Sequence, residues 1–343
     1  MANKTSEATN VMKKIKIDFG SDQDVRWCPG CGDYAILAQM KKVLADLDTP
    51  REKTVFISGI GCSSRFPYYI NSYGFHTIHG RAPTLATGLK IANPDLSVWI
   101  ITGDGDGLSI GGNHLMHLCR RNLNVNIILF NNQIYGLTKG QYSPTSPIGK
   151  VTKTTPFGSL DTPFNPLSLV LSARASFVAR TIDRDTKHMA SIFKRAAAHK
   201  GTSFVEVYQN CNIYNDGAFA ALTDPASKLE NVLYLEEGQP MIYGKEKDKG
   251  IQLNGLSLEK TAVNGNQDDL LVHAENSGNA AYPQLLAQMS EDPELPTPIG
   301  VIHRAEREIY EETFYDQMDS VTKKQGKGNL KQLFITGDTW KVD

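Results

Sequence analysis

Nowhere does the chain carry the roughly 18 to 20 consecutive apolar residues that a bilayer-spanning helix requires. Its first twenty residues, MANKTSEATNVMKKIKIDFG, contain no apolar h-region, so no secretory signal is read there. An excess of charge of either sign is also missing. The 36 Lys and Arg against 37 Asp and Glu leave a formal net charge of −1, which gives no electrostatic footprint for nucleic acid or an anionic membrane. Cysteine is scarce, at five residues in 343. The expected compartment is the cytoplasm, where structural disulfides are rare and cysteines more often serve metals or catalysis. With 40% apolar and 21% charged residues, the balance is that of a globular protein, long enough for one large α/β domain with additions or two ordinary domains.

Four short apolar runs read as strands buried on both faces, as in a parallel sheet: TVFIS (54–58), SVWIIT (97–102), VNIILF (125–130) and SFVEVY (203–208). Helical patterns separate them. From Asp33 to Leu47, the residues Ile36, Leu37, Met40, Val43, Leu44 and Leu47 fall on one stripe, with Asp33 placed as N-cap. Thr186 to His199 reads as a second amphipathic helix. This alternation predicts an α/β fold, a parallel sheet flanked by helices. Residues 1–24 read as a tail, 25–224 as the main domain, and 225–343, richer in charge and turn formers, as a C-terminal extension or arm.

The strand ends carry the chemistry. The first run leads into GIGCSS, the second into GDGDG, the third into NNQIYG and the fourth into QNC. In open α/β sheets ligands bind outside the carboxyl ends of the strands, and ordinary turns account poorly for four such motifs at one edge. Asp104 and Asn132 stand 28 positions apart, enough for a loop, a helix and a returning strand. Glycines let backbone approach a diphosphate, and a helix starting near Gly111 can aim N–H groups at the anion. Asp104 and Asn132 offer hard oxygens suited to Mg²⁺, and a main-chain carbonyl after Asn132 could join them.

GDG followed by NN at this spacing resembles the thiamine-diphosphate binding motif. Carried over by position, the resemblance makes Asp104, Asn132 and the carbonyl of Ile134 the Mg²⁺ ligands, with Gly103, Gly105 and Asp106 in the same loop. Asp106 has a second reading, as a cap of the following helix.

The pair Cys28 and Cys31, in RWCPGCGDY, has a spacing that serves redox disulfides, zinc and iron–sulfur clusters alike. Cys119, among Leu115, Met116 and Leu118, reads as a buried small hydrophobe. Cys62 and Cys211 follow the first and fourth strands, so four thiolate sources can meet at one edge. A redox pair would leave two of them unused; zinc and [4Fe–4S] both suit four.

WCPGCGD, GIGCSSRFPYY, HGRAPTLATGLKIANPDL, GDGDG and NNQIYGLTKGQYSPTS together resemble the β subunits of 2-oxoacid:ferredoxin oxidoreductases, the 2-oxoglutarate branch in particular, over roughly residues 25 to 225. The resemblance implies the diphosphate-binding half of a thiamine-diphosphate-binding fold. It also implies one [4Fe–4S] cluster on Cys28, Cys31, Cys62 and Cys211. The implied reaction is CoA-dependent oxidative decarboxylation of 2-oxoglutarate to succinyl-CoA and CO₂, with two electrons leaving through the cluster to ferredoxin. Pyruvate or a broad 2-oxo acid range is the nearest competitor; a zinc-stapled interaction module would leave GDG and NN unexplained.

By the same resemblance Ile60, Gly61, Cys62 and Ser63 after the first strand, and Tyr135, Gly136 and Leu137 after NN, line the cofactor. Arg65 faces the substrate, and Leu137 stands where pyruvate-specific relatives carry Asn. His79, close to Arg81, faces either the cofactor or the core. No Glu here is singled out as the residue that activates the aminopyrimidine. The resemblance implies that it comes from an α subunit carrying the pyrimidine-binding domain, in an (αβ)₂ heterotetramer active only when assembled.

Overall fold

The computed structural model describes residues 17–342 apart from 264 and 266, so residues 1–16 of the expected tail lie outside the described part. The first six strands are β1 (Thr54–Ser58), β2 (Tyr73–His76), β3 (Ser97–Gly103), β4 (Val125–Asn131), β5 (Phe177–Ile182) and β6 (Thr202–Tyr208). Then come β7 (Val232–Tyr234), a small antiparallel sheet of β8 (Ile242–Tyr243), β9 (Lys249–Asn254) and β10 (Ser257–Ala262), and finally β11 (Thr297–Arg304). Among the described residues, eight strands form one sheet in the order β2-β1-β3-β4-β6-β5-β11-β7. β1 to β6 are mutually parallel, whereas β11 runs antiparallel to β5.

The four expected strands are β1, β3, β4 and β6, four consecutive interior strands of this order, and their near-continuous apolar runs reflect helices on both faces. On one face Val55, Ile57, Val98, Ile100 and Ile127 pack under α2 (Ala82–Ala92), α4 (Gly112–Arg121) and α5 (Pro166–Ser172). On the other Phe56, Trp99, Ile101, Ile128 and Phe130 meet α1 (Asp33–Leu47) and α6 (Thr186–Ala198). The α1 stripe from Ile36 to Leu44 is buried as its periodicity predicts, with Leu47 partly buried at the end. Asp33, however, is not its cap. Gly32 holds the N-cap position, and Asp33 opens the helix with its side chain buried and making no cap bond.

Residues 225–343 do more than extend outward. β7 and β11 widen the main sheet, with β11 pairing Gly300 to Arg180 and Arg304 to Phe177. The Asn122 amide donates to the carbonyls of Arg307 (3.3 Å) and Glu308 (3.0 Å), and the buried Glu311 carboxylate accepts the Asn124 N–H (3.1 Å). Only from residue 315 onward is every described residue exposed.

Ile302 is fully buried in the core beneath this shared sheet. Ile302→Ala is expected to lower a single melting transition that includes the residue 54–208 strands, by about 2 to 5 kcal/mol in unfolding free energy. A separate, low-temperature transition confined to the C-terminal part, with the main transition unmoved, would contradict a common core.

Candidate active site

β3 runs directly into α3 (Asp104–Leu108), so GDGDG is a strand-to-helix turn rather than an open loop, and α4 begins only at Gly112. This places Asp104 at the sheet's carboxyl edge with 2% exposure. Its Oδ2 accepts two hydroxyls, from Ser143 and Thr145, each at 2.6 Å. Burial pushes its pKa up to about 6, against the lowering effect of those bonds. Ser143 and Thr145 belong to the SPTS stretch, for which sequence reasoning found no role. Their small hydroxyl side chains recurring just after the NN turn were the available signal.

Asp106 does not cap α4 with its side chain; only its carbonyl reaches that helix, accepting the Gly111 N–H at 3.1 Å. Its carboxylate is a brace. Oδ1 accepts the N–H groups of Ile60 (3.0 Å) and Gly80 (2.7 Å) and meets His79 Nδ1 at 2.5 Å, while Oδ2 accepts the Thr102 hydroxyl at 2.6 Å. His79 is therefore oriented by Asp106, and Arg81 contacts His114 instead.

The NN turn continues from the end of β4. Asn132 Oδ1 accepts the Ile134 N–H (3.2 Å), its Nδ2 donates to Gln209 (2.9 Å), and Gln133 between them adopts a left-handed φ of 56°. Tyr135 then donates its hydroxyl to the Gly105 carbonyl at 3.0 Å. A Cβ at position 105 would run into the Tyr135 ring, so the second glycine of GDG is required by this close approach.

Together these turns enclose a cavity of about 110 Å³ lined by Ile60, Gly61, Cys62, Ser63, Gly103, Asp104, Gly105, Asp106, Asn132, Ile134, Tyr135, Gly136 and Leu137, with His79. Asp33, Phe130 and Thr138 also line it; the sequence reading made Asp33 a helix cap and gave the other two no site role.

Cys28, Cys31, Cys62 and Cys211 line an adjoining cavity of about 210 Å³, with Arg65, Asp33, Lys139 and Tyr214. The Trp27 indole N–H donates to the Cys62 carbonyl (2.7 Å) and the Gly32 N–H to the Asn210 carbonyl (3.2 Å), which docks the C-x-x-C loop against the other two cysteine segments. Burial, followed by the nearby Asp33 carboxylate, pushes the Cys62 thiol up to about 12 and raises Cys31 as well. Asp33 itself rises to about 7, through burial and then Asp183, and its Oδ2 has no hydrogen-bond partner. Cys119 lies apart in the core.

Among the described residues, three donor atoms of the metal-binding kind close to within 4.8 Å of one another only at Glu237, His273 and Glu275. At the Glu–His cluster both ring nitrogens of His273 are engaged, by Tyr282 Oη (2.9 Å) and the Val301 carbonyl (2.8 Å), and Glu275 pairs with Arg195.

An open cleft of about 560 Å³ borders the small cavity through Ile60, Gly61 and Leu137. Arg65 lines it together with Arg26, Tyr68 and His76, and donates Nε–H to the Tyr69 hydroxyl at 2.9 Å.

The sequence is 50% identical over 330 residues to the 2-oxoglutarate oxidoreductase subunit KorB of Mycobacterium tuberculosis, covering 95% of this chain and 88% of that one. The chain belongs to the 2-oxoacid:ferredoxin oxidoreductase β-subunit family. A 2-oxoacid:ferredoxin oxidoreductase β subunit of Aeropyrum pernix is 40% identical over 79% of this chain and 84% of its own length. The 2-oxoglutarate synthase subunit KorB of Methanocaldococcus jannaschii is 38% identical over 68% of this chain and 88% of its own length.

A solved 2-oxoglutarate:ferredoxin oxidoreductase from Magnetococcus marinus, with 2-oxoglutarate, coenzyme A and succinyl-CoA bound, superposes with a TM-score of 0.75 at 31% identity. The match covers 97% of this chain and all of that one. Residues 59–207 match the family model of the thiamine pyrophosphate enzyme C-terminal TPP binding domain. The thiamine-diphosphate-binding fold expected from GDG and NN is thereby established, and so is the 2-oxoglutarate branch of the family. No helix among the described residues is long and apolar enough to cross a membrane.

Asp104→Asn in this β subunit keeps an acceptor for the Ser143 and Thr145 hydroxyls but removes a charge that burial disfavours. A carboxyl whose folded pKa is raised from 3.8 to about 6 favours folding only while protonated, and that contribution is lost as pH rises through 6. At pH 7 the cofactor-free variant is therefore expected to melt no lower than the parent. Calorimetric melting of the two without cofactor checks this; a clear drop for the variant would contradict it.

Proposed function

We propose that this chain is the subunit in which thiamine diphosphate, Mg²⁺ and a [4Fe–4S] cluster meet in an enzyme that converts 2-oxoglutarate and coenzyme A to succinyl-CoA and CO₂. The two electrons released leave one at a time through the cluster to ferredoxin. An α subunit completes the site by contributing the pyrimidine-binding domain and the activating Glu, in an (αβ)₂ heterotetramer in the cytoplasm. The carrying observation is that the GDG–NN edge and four cysteines line two adjoining cavities.

The residues present fit these groups. Asp104 is a buried carboxylate whose ionised form a bound cation would stabilise. Asp104, Asn132 and the Ile134 carbonyl, which share one cavity, would hold Mg²⁺ through hard oxygen donors. Thiamine diphosphate, when bound, supplies the electron sink that decarboxylation requires. Gly103 allows the diphosphate close to the backbone at the start of α3, and Asp106 fixes His79 toward the same cavity.

For the cysteines, redox chemistry separates the two metal readings. Zinc has no redox chemistry and could not take up the electrons released, whereas a [4Fe–4S] cluster held by four thiolates can. Iron and sulfide analysis of single Cys→Ser variants in the assembled complex is expected to show cluster loss at Cys28, Cys31, Cys62 and Cys211 and full content at Cys119. A full cluster in the Cys211 variant, or bound zinc without iron, would overturn the assignment.

Arg65 borders both the open cleft and the cysteine cavity, and Leu137 joins the cleft to both cavities. In this reading Arg65 pairs with the substrate carboxylate remote from the keto group, a charge-assisted bond of about 1.5 to 3 kcal/mol. Arg65→Met is expected to lower kcat/KM for 2-oxoglutarate roughly 10- to 150-fold. It should leave 2-oxobutyrate, which lacks that carboxylate, within a few-fold. Equal losses for both substrates would place Arg65 in the cofactor's support instead.

A further inference from the structure

Arg180 and Glu206 form an ion pair in the middle of the sheet, with side chains 1% and 0% exposed and Nε 2.6 Å from Oε2. They lie directly opposite each other in the parallel register of β5 and β6. The guanidinium also sits 5.0 Å above the Tyr208 ring centroid, which fixes it further. Burying two charges is costly, and an apolar pair of similar volume is often equally stable or more so, so packing does not account for them.

The second carboxylate oxygen leads to the site. Glu206 Oε1 accepts from Asn131 Nδ2 at 2.7 Å, and Asn131 is itself buried at 2% exposure. A carboxylate held by a guanidinium is acceptor-only, so it demands the NH₂ end of this amide. Asn131 can then present only Oδ1 on its other side. There Oδ1 accepts the Gln133 N–H at 3.3 Å and lies 2.9 Å from Thr145 Oγ1, which is 2.6 Å from Asp104 Oδ2. Gln133 is the left-handed residue between Asn132 and Ile134. A single amide therefore touches both the turn that carries Asn132 and Ile134 and the hydroxyl resting on Asp104.

We propose that Glu206, anchored by Arg180, is a positioning residue for the Mg²⁺–diphosphate site, acting through the orientation of the Asn131 amide. This rests on the reading of Asp104, Asn132 and the Ile134 carbonyl as the metal's protein ligands. Gln in place of Glu206 keeps the shape but not the chemistry. Arg180 takes the new amide's oxygen, its NH₂ end then faces Asn131, and Asn131 must turn over. The Gln133 N–H would then meet another donor.

The test uses the assembled complex stripped of thiamine diphosphate, with the affinity for Mg²⁺ and thiamine diphosphate measured by calorimetric titration and melting followed without cofactor. Glu206→Gln is expected to weaken binding about 10-fold or more, the usual cost of losing a residue that orients a metal ligand. The double variant Arg180→Met/Glu206→Leu removes both charges and is expected to melt within a few degrees of the parent while binding as weakly as Glu206→Gln. Parent-like affinity in Glu206→Gln, or affinity that returns in the double variant together with stability, would show a purely structural pair. Asp104→Ala separates the two readings. If it abolishes binding while Glu206→Gln does not weaken it, only the positioning role fails; if it binds normally, the metal-site reading itself fails.

Discussion

The Asp106 carboxylate ties together the chain segments on which the site is built. It is 3% exposed and takes donors from the turn after β1, the His79–Gly80 turn and the end of β3, while standing on α3 itself. Removing it would strand two buried donors, the Gly80 N–H and the Thr102 hydroxyl, each costing about 1 to 3 kcal/mol. Position 59 must be glycine for the brace to close, because a Cβ there would run into the Asp106 carboxylate. The short turn from Gly59 to Ser63 therefore lies against α3, with Cys62 close to the GDG turn that supplies Asp104.

What could be read from the sequence follows burial. β1, β3, β4 and β6 are interior strands with helices on both faces, so their runs are largely apolar and their ends are easy to mark. β2 escaped notice because all four of its residues are exposed, leaving no apolar run. β5 (FVARTI) is fully buried but carries Arg180, a residue that argues against an interior strand until its partner Glu206 is seen on the neighbouring strand. β11 contains Pro298 and Gly300 and lies in a stretch rich in charge and turn formers. Its place in the sheet depends on a pairing with β5 more than a hundred residues earlier.

The site shows the same division. GDG, NN and the cysteines were legible because their residue types are chemically unusual at strand ends. Ser143 and Thr145 were not, since hydroxyls are common in turns and only three-dimensional contact distinguishes those that touch Asp104. Asp33 was misread for a related reason. An acidic residue at a helix start ordinarily caps it, yet this one is turned into the wall between the two cavities.

That wall is thin. Asp33, Cys62, Asn132, Gly136 and Leu137 line both cavities, and a Cβ at Gly136 would lie only 3.6 and 3.7 Å from the sulfurs of Cys62 and Cys211. One continuous turn, from Asn131 to Leu137, thus borders the diphosphate edge at its beginning and the cysteine sulfurs at its end. In the proposed reaction a two-electron oxidation must be split by an acceptor that takes one electron at a time, so the donor and the cluster have to sit side by side. Placing both along a single turn fixes their separation by backbone geometry rather than by the docking of two subunits. In that reading, whatever orients the turn, the Asn131 amide and the buried pair beneath it included, would act on both cofactor positions at once.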